Sequence, residues 1–127
     1  TSDEGRPMIV AAIADSATIE RLEQYRGITA ALADPRRLSA DSAQRLITAG
    51  KPIYYASGSI HSPETGSPEM LMELAYRLAV DDSPYIQNIR EHVSALITPV
   101  VEPDGRDRVV DVYEWRKKPP RDTPMSP

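Results

Sequence analysis

An imidazole and a carboxylate stand three residues apart in Gly58-Ser59-Ile60-His61-Ser62-Pro63-Glu64, just after a short apolar run. If Ser62-Pro63 opens a helical turn, residues three apart share one face, and His61 and Glu64 reach a common point. Nitrogen and carboxylate donors suit zinc, and two histidines, one glutamate and a water form a common hydrolytic set. The chain has no cysteine, so disulfides and thiolate sites are excluded and any transition metal must use His, Asp and Glu. The same spacing also fits a polar loop histidine followed by a helix-start glutamate favoured by the helix dipole. Acidic residues number 19 in 127, so about one histidine in seven has an acid three positions on by chance. The second histidine, His92, reads as a helix-end residue at the negative pole.

The elements that must position His61 and Glu64 follow from hydrophobic patterning. Met8 to Ala14 is a continuous apolar run of strand length, and Asp15-Ser16 after it is a turn and helix cap. Ile19, Leu22, Tyr25, Ile28 and Leu32 recur at helical spacing, as one helix or two short ones broken near Gly27 and ended by Asp34-Pro35. A helix from Ser39 or Asp41 carries Ala43, Leu46 and Ile47 and stops at Gly50, placed as a left-handed cap. Ile53 to Ala56 with Ser57-Gly58 reads as the strand that delivers His61. Ser67-Pro68-Glu69 has the pattern of an N-cap, a proline at the first helical position and an acid near the positive end, ahead of Met70, Leu71, Leu74, Leu78 and Ala79. Asp81 to Pro84 closes that helix and caps another, with Ile86, Ile89 and Val93 inward. A third strand, Ala95 to Val101, leads to a turn at Glu102-Pro103-Asp104-Gly105, where Asp104 and Asp107 read as turn and helix-start residues. Strands separated by helices predict an α/β fold, because parallel neighbours need crossovers of this size.

Gly58 to Glu64, a long aliphatic helix, a strand ending in Pro103-Asp104-Gly105 and then Trp115-Arg116-Lys117 occur in the order found in zinc carboxypeptidases. From about Met8 to Lys118 the chain resembles that metallocarboxypeptidase family, peptidase family M14. The resemblance implies a partial three-layer α/β/α sandwich with a mixed, mainly parallel sheet, and a site that hydrolyses the carboxy-terminal peptide bond of a peptide or protein. It implies zinc ligation by His61 and Glu64, and a role for Arg116 in stabilising the oxyanion. Glu102 stands where the family's usual turn has Asn. The third zinc ligand, the carboxylate clamp and the general base of the family lie downstream and are absent here. The expectation is therefore residues 1–118 as the amino-terminal part of a catalytic domain, inactive alone, with a proline-rich tail at 119–127 that is extended or disordered. Two other functions suit the same residues: a non-catalytic peptide-binding module with this fold, and a related zinc amidase.

Composition bounds the partners. A net charge of -4 argues against nucleic acid, whose binders carry a basic surface. No apolar run approaches the roughly 18 residues that a membrane span needs, so no membrane partner is expected. The first residue is Thr1, which leaves room for a removed leader, and the resemblance points to a secreted or periplasmic protein. With no Phe and one Trp, the core must be aliphatic. A truncated sheet is expected to expose a strand edge or an apolar helix face, surfaces that drive self-association into a homo-oligomer.

Overall fold

The computed structural model describes residues 1–118; the 119–127 tail lies outside the described residues. Three strands, β1 (Ala11–Ile13), β2 (Ile53–Ser57) and β3 (Ser94–Thr98), form one mixed sheet in the order β1-β3-β2. β3 is central, antiparallel to β1 with Ile13 opposite Ala95 and parallel to β2 with Ile53 opposite Ser94 and Ser57 opposite Thr98. The parallel pair is joined by a two-helix crossover, α4 (Gly66–Val80) and α5 (Pro84–His92). The α/β expectation is met.

Alternation along β3 divides the sheet into two faces. Ala95 and Ile97 meet Leu71 and Leu78 of α4 in the core, with Ile13, Ala56, Leu74, Ala75, Ile86 and Ile89 packed around them. The i, i+3, i+4, i+7 spacing of Leu71, Leu74, Ala75 and Leu78 puts all four on the sheet side of α4. Ile97 is completely buried, and its truncation to Ala would cost about 2–5 kcal/mol by the usual scale for aliphatic core residues. On the other face α1 (Ser16–Glu20) leads to α2 (Leu22–Ala33), which lies over Ile53, Ser94 and Leu96 with an apolar groove between. A single 3-10 turn, Pro35–Arg37, connects α2 to α3 (Ala40–Ala49), and α6 (Pro103–Lys117) follows the exit of β3.

Several local expectations are revised. The first strand is shorter than the Met8–Ala14 run: only Ala11 to Ile13 pair with β3, and Met8, Ile9 and Val10 are exposed. The helix break falls at Arg21, not Gly27, which sits inside α2. Gly50 has φ −82°, so it is not a left-handed cap; its lack of a Cβ lets the side chain of Ile28 come within 3.1 Å of where that atom would stand. The third strand ends at Thr98 rather than Val101. The Glu102–Gly105 segment is no free turn: Glu102 caps α6, and Pro103, Asp104 and Gly105 are its first turn.

At the end of the sheet where β1 leaves and β2 and β3 begin, Asp15 and Arg90 together link four segments. Asp15 caps α1, accepting from Thr18 N at 2.8 Å and Thr18 Oγ1 at 2.9 Å, and Lys51 Nζ pairs with it just before β2. Its backbone N–H donates to Arg90 O of α5 at 3.0 Å, and Arg90 in turn donates to Leu78 O and Asp81 O, the carbonyls at the end of α4. Lys51 foremost, with the Thr18 N–H, lowers the Asp15 pKa from 3.8 to about 2. A carboxyl whose folded pKa lies below its unfolded one stabilises fully above the unfolded value and loses that contribution as pH falls through the folded one. Melting temperature should therefore drop more steeply between about pH 4 and pH 2 in the wild type than in Asp15→Asn; equal slopes by circular dichroism would remove this pair from the account.

Candidate functional site

The loop 58–65 leaves β2 at the opposite end of the sheet, the carboxyl end of the parallel pair, where α/β folds collect ligands. The ladder runs on one residue past the strands: Gly58 N donates to Thr98 O and Val101 N to Gly58 O, both at 3.0 Å. A Cβ on Gly58 would stand 2.8 Å from Leu71 Cδ1 and 2.9 Å from Pro99 O, so only glycine lets strand, β3 exit and α4 meet there. Ser59 then turns through φ 56°, a left-handed conformation uncommon outside glycine, with its side chain buried. Its N–H donates to Ser67 Oγ at 3.0 Å. Ser67 is thus not the N-cap expected from its sequence; α4 begins at Gly66, and the Ser67 hydroxyl holds the loop instead.

His61 and Glu64 come together. Glu64 N donates to His61 O at 3.0 Å, closing the turn, and His61 Nδ1 lies 3.2 Å from Glu64 Oε1. Both side chains are open to solvent, 74% and 59% exposed. Two ligands at normal zinc bond lengths and a tetrahedral angle sit about 3.4 Å apart, so the pair stands close to the separation a shared metal would need. No group of three or more His, Cys, Asp or Glu able to hold a metal occurs among the described residues. The donors present fit two positions of a nitrogen-and-carboxylate site.

His92 is not near them. It ends α5 at the start of β3, while His61 follows the end of β2, so roughly 13 Å of strand separates the two levels. Its Nδ1 meets Asn88 O at 2.9 Å, as a helix-end histidine should. Arg116 lies in the last turn of α6 and lines a depression of about 360 Å³ with Pro63, Arg108, Val109, Val112 and Tyr113. Pro63 lies between His61 and Glu64, so the depression adjoins their turn.

The base of α6 carries charge that the sequence reading did not connect. Arg6 reaches Glu4 at 2.6 Å and Asp104 at 2.7 Å and also pairs with Asp107, while Arg108 meets Glu4 at 2.5 Å. The Ser2 hydroxyl foremost, with Arg6, holds the Asp104 carboxyl below its ordinary range. Next to this cluster, Glu102 accepts from Gly105 N at 3.0 Å and from the Ser62 hydroxyl. A proline at the first helical position after a carboxylate was the available signal for this cap.

The model of the family described as zinc carboxypeptidase, peptidase M14, matches residues 1–124. The chain belongs to that family. Neither the curated proteins nor the solved structures provide a match to it. In this zinc carboxypeptidase-family chain the His61–Glu64 turn stands at the carboxyl end of a parallel strand pair. Among the described residues no helix is long and apolar enough to cross a membrane.

Gly58→Ala should destabilise the fold by about 1–3 kcal/mol, the usual range for overpacking, because the backbone just past β3 and a core leucine would both have to retreat. Urea denaturation of the variant beside the wild type measures it; equal midpoints would mean that this approach is looser than drawn.

Proposed function

We propose that residues 1–118 form the amino-terminal part of a zinc-dependent carboxypeptidase catalytic domain, with His61 and Glu64 as two zinc ligands. The observation that carries this reading is the 3.2 Å approach of His61 Nδ1 and Glu64 Oε1 in a chain of the zinc carboxypeptidase family. Zinc bound there would supply a Lewis acid that polarises a carbonyl and lowers the pKa of water. The chain's own residues supply two donors and, in Arg116, a cation that would face the negative charge developing on the carbonyl oxygen of a peptide's terminal bond. A third ligand and a general base are still required, so the chain alone hydrolyses nothing. Peptide or protein carboxyl termini are the substrate class, and secretion or periplasmic export is the matching location.

Two other aspects belong to the same reading. β2 has no strand on its outer side among the described residues, and Ile53, Tyr54 and Tyr55 are exposed along it. Copies of this chain would associate through such an edge. A non-catalytic peptide-binding module, or an amidase using the same ligands, would keep the fold and differ in the groups that complete the site.

Four-ligand structural zinc is worth about 10–16 kcal/mol. Half of that set gives about 5–8 kcal/mol, or dissociation constants of about 1 µM to 0.2 mM. Calorimetry should find zinc binding in that range for this chain and at least tenfold weaker binding for His61→Ala. Equal binding by the variant would overturn the assignment and favour the module without chemistry. In a longer protein that contains this chain and cleaves peptides, Arg116→Ala should lower kcat about 10²-fold or more with little change in KM. An unchanged kcat would return Arg116 to the surface of α6.

A further inference from the structure

Ser62 separates the two donors, and its hydroxyl points to neither. It donates to one oxygen of Glu102, whose other oxygen takes the Gly105 N–H at 3.0 Å. One carboxylate therefore joins the His61–Glu64 turn to the first turn of α6. A Cβ on Gly105 would overlap both the Glu102 carboxylate and the Ser62 hydroxyl, so the junction closes only around glycine. The positive end of α6 favours a negative group at this place.

The exposed side chains of His61 and Glu64 have little packing to hold their rotamers, so their separation depends on the backbone beneath them. Either end of the loop is already tied: Ser67 Oγ accepts from Ser59 N and donates to Glu64 O, and Gly58 continues the strand ladder. The middle is held from outside the loop by Glu102. We propose that Glu102, acting through Ser62, is a positioning residue that keeps His61 and Glu64 at the separation zinc requires. It touches neither metal nor substrate. This inference rests on the zinc reading of the pair, and it assigns a purpose to the glutamate that stands where the family's usual turn has Asn.

Supporting groups of this kind commonly change metal affinity by about 10–100-fold when removed. Ser62→Ala deletes the link but leaves Glu102 capping α6, so folding should be unaffected, as a thermal melt would check. Zinc calorimetry on the chain should show at least about tenfold weaker binding for Ser62→Ala, with Ser62→Thr restoring most of it. The visible spectrum of bound cobalt(II), used as a probe of geometry, should weaken in Ser62→Ala and recover in Ser62→Thr. Gly105→Ala, which displaces the carboxylate, should follow Ser62→Ala. If His61→Ala loses zinc while Ser62→Ala matches the wild type in affinity and spectrum, Glu102 positions nothing and the proposal falls alone. If the wild type takes no zinc, or His61→Ala binds as tightly, the zinc reading and this inference fall together.

Discussion

The close approach at Gly58 governs the geometry of everything downstream of β2. Pro99 O and Leu71 Cδ1 occupy the volume a side chain would need, so β2, the exit of β3 and the start of α4 are locked to one another at a single residue. From that point the chain must turn over α4, and the left-handed Ser59 accomplishes the turn in one step. The position at which His61 emerges is thus inherited from the sheet and the aliphatic core rather than from the loop. Interiors packed at crystal-like density transmit such constraints because there is no free volume to absorb them.

The two ends of the sheet are held by different means. Where β1 exits and β2 and β3 begin, charge and helix caps converge on Asp15, Lys51 and Arg90, and the cluster is largely shielded. At the other end serine hydroxyls make part-buried contacts, Ser67 with the Ser59 N–H and Ser62 with the Glu102 carboxylate. The first end joins strand starts to helix caps, and the second carries the loop with His61 and Glu64.

Elements with a strong period were legible in the sequence. Leu71, Leu74 and Leu78 marked α4, Ser83-Pro84 marked the start of α5, and the apolar run at Ile53 located β2. The His61–Glu64 turn was legible as well, since a three-residue spacing closed by a backbone hydrogen bond is local information. The helix α6 was not, because Gly105 in its first turn and its scattered valines and charges hide any apolar stripe, and its start depends on a carboxylate cap. The edge of the first strand was misjudged for a related reason: Met8 to Val10 are as apolar as Ala11 to Ile13, and only the pairing with β3 tells them apart. The Ser62–Glu102 contact spans forty residues of sequence, and no local pattern carries it.

Ser59 combines a φ of 56° with a buried hydroxyl that has no hydrogen-bond partner among the described residues. A left-handed residue of this kind lies roughly 1–2 kcal/mol above its relaxed conformation, and an unpaired buried hydroxyl adds to that. The turn that carries His61 is consequently spring-loaded, with the core beneath it acting as the clamp.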